Sequence, residues 1–136
     1  MTQSQRDRLA VLYKKYELTK DDVFSSPQGW TIITRAGIDS IQAQEDILIS
    51  YDVVEYTPAV SAAVKAVGTI GERKIETYGE ANSKNCRASY PLAMAEKRAM
   101  SRIVLKLTGF YALGVFGEDE SEDFAAEVRK QKSVKL

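Results

Sequence analysis

Histidine is absent from this 136-residue chain, and cysteine occurs once, at Cys86. The first absence removes serine–histidine and cysteine–histidine nucleophile systems, histidine-ligated zinc and the zinc-deaminase motif, all of which need an imidazole. A single cysteine makes no internal disulfide and no cysteine-built metal site, which fits a reducing compartment. Neither GxxxxGKS/T nor GxGxxG occurs, so neither glycine-rich phosphate loop is present. No apolar run approaches the roughly 18 residues of a membrane span. The opening MTQSQRDRLA also lacks the apolar stretch of a signal peptide. The expectation is therefore a cytoplasmic protein with no membrane partner, no cofactor and no metal site, a carboxylate-only magnesium site being the one metal chemistry left open.

What is present is an ordinary globular composition, 44% apolar and 28% charged, in a chain long enough for one core. Nineteen charges of each sign cancel overall, but they are unevenly placed. Between residues 81 and 117 the bases Lys84, Arg87, Lys97, Arg98, Arg102 and Lys106 face a single acid, Glu96. Residues 118–123 (EDESED) then supply five acids, and Arg129, Lys130, Lys132 and Lys135 follow near the end. A basic surface beside an acidic tail is common in proteins that bind polyanions, although a solvated helix and tail would give the same count. The acidic run lacks the glycine and alternate spacing of a calcium loop. It reads as the start of a solvated tail over 118–136, after a core domain over 1–117.

Leu9, Leu12, Tyr13 and Tyr16 fall at helical spacing and predict an amphipathic helix over 4–16. Residues 18–28 end in SSPQG and read as a loop. WTIIT, at 30–34, reads as a short strand, and AGIDSIQAQ after it as a short helix. Three β-type runs follow at 46–56, 59–70 and 73–81, rich in Val, Ile and Tyr. Their close spacing permits only antiparallel neighbours. From Pro91, a residue tolerated in a first turn, the longest helix runs to Thr108 and is closed by Gly109. The segment FYALGVFG should pack back on the core. The fold class is thus α+β: a three-stranded antiparallel β-meander packed on one long helix, with an N-terminal helix and a short strand–helix element.

On that long helix, Arg98, Arg102 and Lys106 form one stripe at i, i+4, i+8, spanning about 80° at 100° per residue. Ala99, Met100, Ile103, Val104 and Leu107 occupy the other side, with Lys97 and Ser101 flanking the bases. Like charges at this spacing repel, and no acid on the stripe relieves them. That pattern favours a polyanion-binding face over a merely solvated one. Glu96 projects into the apolar arc near the N-terminus, where capping, or pairing with Arg87, would stabilise its charge. Tyr51, Tyr56, Tyr78 and Tyr90 could stack bases or serve as strand core. Tyr78 and Tyr90 flank the basic link that holds Lys84 and Arg87, and are the better candidates for stacking.

Three segments, TYGEA closing the third run, AEKRAMSRIVLKLTGF in the long helix and FYALG after it, resemble the single-strand annealing protein superfamily. That group includes phage recombinases of the Erf and Sak types and the eukaryotic ring-forming annealing mediator. SQRDRLAVLYKKY and ITRAGIDSIQ fit by position, so the likeness covers roughly residues 1–117. The resemblance implies a non-enzymatic, ATP-independent annealer of single-stranded DNA acting in recombination as a ring-like homo-oligomer. It places Lys97, Arg98, Arg102 and Lys106 on the DNA-binding face, with Arg35 at the start of the short helix. A phage or host exonuclease or single-strand binding protein would be a further partner. The rival readings are a metal-dependent DNA-processing enzyme and a phage scaffold protein whose basic helix meets an acidic partner.

Overall fold

A capping box starts the first helix: Thr2 Oγ1 accepts from the Gln5 N–H at 3.2 Å, and Gln5 Oε1 accepts from the Thr2 N–H at 2.8 Å. The computed structural model describes residues 1–85 and 90–120. Its elements run α1 (Gln3–Lys15), β1 (Val23–Ser25), β2 (Thr31–Ile33), α2 (Arg35–Glu45), β3 (Leu48–Thr57), β4 (Ser61–Ile70), β5 (Arg73–Asn82), α3 (Pro91–Thr108) and β6 (Val115–Gly117), with 3-10 turns at Tyr111–Leu113 and Glu118–Glu120. The fold is α+β, with the antiparallel sheet β3-β4-β5 packed on α3.

The meander forms because its connections leave no room for a crossover. Ile70 pairs with Arg73 across a two-residue turn whose first member, Gly71, has φ +56°, a value suited to glycine. Its inner face alternates Ala62, Val64 and Ala66 on β4, all buried, with Thr77, Gly79 and Ala81 on β5. Gly79 sets the depth of the packing. A Cβ there would overlap the Ala95 carbonyl oxygen and lie 2.6 Å from the Ala99 nitrogen, so backbone meets backbone.

A second, smaller sheet was not legible in the sequence. β1, inside the segment read as loop, pairs antiparallel with β2, and β6 pairs with β2 in parallel through Ile32↔Phe116. The FYALGVFG segment therefore packs back through a 3-10 turn, Tyr111–Leu113, and the short strand Val115–Gly117. Phe110, fully buried just after α3, packs against Tyr13 of α1 and Tyr16 at its C-cap, with ring centroids 6.1 and 5.9 Å away. The first three residues of the acidic run form the turn Glu118–Glu120 against α3, so this part of the expected tail lies on the core. Residues 121–136, with the basic run of the tail, lie outside the described residues. No helix among the described residues is long and apolar enough to cross a membrane.

Candidate nucleic-acid interface

α3 is covered on more sides than a two-sided helix, and this relocates the basic stripe. The sheet lies under Ala95, Ala99 and Ile103, while β6 and the turn after it cover a second flank. Arg98, expected to face outward, is 0% exposed. Its Nη1 donates to the Glu80 carbonyl at 2.8 Å and to Asn85 Oδ1 at 2.9 Å, and its Nε donates to the Asp119 carbonyl at 3.0 Å. A buried guanidinium needs its donors filled, and this one ties three segments together.

Arg102 is also drawn inward: Nη1 donates to the Tyr78 carbonyl at 2.6 Å, and Nε pairs with Glu120 Oε1 at 2.7 Å. Only Lys106 stands out in solvent, with Nζ 3.1 Å from Thr77 Oγ1 and 5.1 Å from the centroid of the Tyr111 ring. The stripe therefore runs along β5, where Arg98 and Arg102 cap main-chain carbonyls and Lys106 reaches a side-chain hydroxyl. Helical periodicity identifies which side chains are apolar, not how many flanks of the helix later segments will cover. That is why the outward placement of Arg98 and Arg102 does not hold.

The remaining candidates are dispersed. Lys97 is half-buried, while Lys84 and Tyr90 are exposed. Tyr78, exposed, pairs with Lys65 and so lies on the outer face of the sheet, opposite α3. Arg87 lies outside the described residues. Arg35 starts α2 and pairs with Asp39 at 3.2 Å and Asp119 at 3.3 Å. Glu96 does not enter the apolar core; it is exposed.

The structure instead opens a surface along β3. Residues opposite one another in a ladder share a face, so Tyr51 (opposite Ala66), Val53 (opposite Val64) and Tyr56 (opposite Ala62) continue the buried inner face of β4. α3 crosses β4 and β5 and barely reaches β3. These side chains therefore remain 37%, 57% and 47% exposed. Burial pushes the Tyr51 hydroxyl pKa up, the Glu96 charge adds to the rise, and the Arg35 charge opposes it. On α3, Ala93 and Glu96 are exposed and Lys97 is half-buried. The result is an exposed aromatic shelf along the inner face of β3.

Sequence reasoning gave Tyr51 and Tyr56 less weight than Tyr78 and Tyr90. The available signal was that residues 48–57 carry apolar side chains on both alternating sets, in excess of what one covering helix can bury. Among the described residues no group of three His, Cys, Asp or Glu side chains is placed to hold a metal ion. The chain matches no family model, no curated protein and no solved structure.

Proposed function

We propose that this protein binds single-stranded DNA and anneals complementary strands without ATP, through the inner face of β3 and the adjoining flank of α2 and α3. The observation that carries the reading is the open shelf of Tyr51, Val53 and Tyr56 on the inner face of β3, with Arg35 and Lys97 as the cations the reading assigns to phosphates. Stacking on aromatic side chains contributes about 1–3 kcal/mol per base and tolerates any sequence, because every base has a π-face. Such cations hold phosphates without reading bases. A strand seated in this way keeps its base edges available to a complement. Each site is small, so useful affinity for a long strand comes from several copies acting together. A homo-oligomer, in ring form, is part of the proposal.

The test is fluorescence anisotropy with labelled single- and double-stranded oligonucleotides at several salt concentrations, paired with a two-dye annealing assay without nucleotide. Single-strand preference and accelerated annealing are the expected results. Equal affinity for both forms, or cleavage of the oligonucleotide in magnesium, overturns the reading. Light scattering with and without the oligonucleotide checks for a multi-copy assembly, and a strictly monomeric mass in both removes it.

A further inference from the structure

The turn Glu118–Glu120 places three successive carboxylates on donors supplied by α2 and α3. Glu118 Oε1 accepts from the Arg35 backbone N–H at 2.6 Å. Asp119 Oδ2 accepts from Ser101 Oγ at 2.8 Å and from Arg35 Nη1 at 3.3 Å. Glu120 Oε1 accepts from Arg102 Nε at 2.7 Å. Two guanidinium groups, a fully buried hydroxyl and a main-chain N–H in the first turn of α2 thus converge on anionic oxygens. Carboxylate and phosphate use the same donors: the arginine fork binds either, and N–H groups at a helix start favour either.

We infer that this convergence is a phosphate site and that the turn Glu118–Glu120 is its built-in occupant. The ligand class is a phosphate or phosphodiester anion. As regulation of strand binding, the inference rests on the function proposed above. The Arg35 charge acts on the Tyr51 hydroxyl, so the occupied site is linked electrostatically to the aromatic shelf. Of the two guanidinium groups an incoming phosphate meets Arg35 first, because that side chain is 37% exposed while Arg102 is 23% exposed. The tethered carboxylates compete at high effective concentration. Only a ligand offering several phosphates at once displaces them, which suits a polymer and disfavours a single inorganic ion.

The full chain carrying D119N and E120Q tests this. Both replacements are isosteric and neutral, and the Asp119 carbonyl that holds Arg98 is untouched. With pyrophosphate as probe, against chloride at matched ionic strength, the variant should gain about 4 °C in Tm and the wild type less than about 1 °C. Its plot of log affinity for a single-stranded oligonucleotide against log salt should steepen by roughly 1.4, about 0.7 for each of two released cations. If the double variant does not fold, E120Q alone gives the same readouts with half the change in slope. Equal pyrophosphate shifts in a folded variant and the wild type overturn the site. A pyrophosphate shift confined to the variant, with no oligonucleotide affinity in either protein, keeps the site and removes the strand-binding reading.

Discussion

The two edges of the meander are treated in opposite ways. β5 presents its free carbonyls to α3, where Arg98 takes Glu80 and Arg102 takes Tyr78, and Lys106 reaches Thr77. β3 carries no strand on its free side among the described residues, and its inner side chains extend past the helix. An open strand edge invites pairing with other chains, and proteins blunt such edges with charge, bulges or cover. Here β5 is covered by cations, while β3 has Asp52, Glu55 and a register shift between Val53 and Glu55. The contrast teaches that a row of basic residues can be used up in closing a sheet. The surface left open is then the inner side of β3, which carries tyrosine and valine instead of cations.

The comparison breaks most severely at Arg98. Replacing it by Met leaves the Glu80, Asn85 and Asp119 carbonyls without their guanidinium, at about 1–3 kcal/mol for each buried group left unsatisfied. A loss of about 3 kcal/mol or more is expected in urea unfolding. A variant within about 1 kcal/mol of wild type would show that the β5 edge does not depend on this residue.

On the other edge, Tyr51→Ala with Tyr56→Ala should weaken single-strand binding by about 30-fold, roughly 2 kcal/mol, as expected for lost stacking. Tm should change little, since both rings are more than a third exposed. Unaltered anisotropy titrations in this double variant would move the binding surface elsewhere.

Arg102→Gln is expected to act on the closed edge more mildly than Arg98, costing about 1–2 kcal/mol for a partly buried ion pair and one hydrogen bond. Its second effect should be concentration-dependent self-association as the Tyr78 carbonyl is uncovered, which sedimentation velocity detects. A stable variant that stays monodisperse at high concentration would limit the capping role to Arg98.

The smallest effect concerns the root of β3. Glu45 ends α2 and accepts from Tyr16 Oη at 2.6 Å, with Lys15 Nζ at 3.2 Å. The Tyr16 hydrogen bond, helped by Lys15, holds the Glu45 carboxyl below its ordinary value, while burial opposes this. A depressed folded-state pKa stabilises the fold above the unfolded value of about 4.3, and that contribution fades as pH falls through the folded value. Stability should therefore drop by less than about 1 kcal/mol below pH of about 4. In Tyr16→Phe that acid-limb slope should flatten; an identical slope in both proteins would assign it to other carboxylates.

The order of elements and the three-stranded meander were readable because local patterns carry them: β-branched runs, a two-residue turn at Gly71 and a proline at the start of α3. β1 and β6 were not, since strands of three residues have too little periodicity and β6 finds β2 only through a contact about 84 positions away in sequence. The cationic character of Arg98, Arg102 and Lys106 was equally plain. What local sequence could not express was that Glu80, Asn85 and the turn Glu118–Glu120 would arrive to absorb the first two. Tyr51 and Tyr56 were visible as strand residues, yet their exposure depends on where α3 crosses the sheet, and Gly79 fixes that crossing.

The Arg98 knot also constrains the order of events during synthesis. Its acceptors come from β5, from the link at Asn85 and from Asp119, so the guanidinium is made before the last of them has been translated. Until Asp119 clears the ribosome, closing α3 onto the sheet would bury a charge with an incomplete set of acceptors, an arrangement that is strongly disfavoured. A nascent chain ending short of the turn should therefore hold its helices and hairpins loosely and remain open to proteases. Emergence of the turn should then tighten the packing of α3 on the sheet, which limited proteolysis of chains ending before and after Asp119 would check.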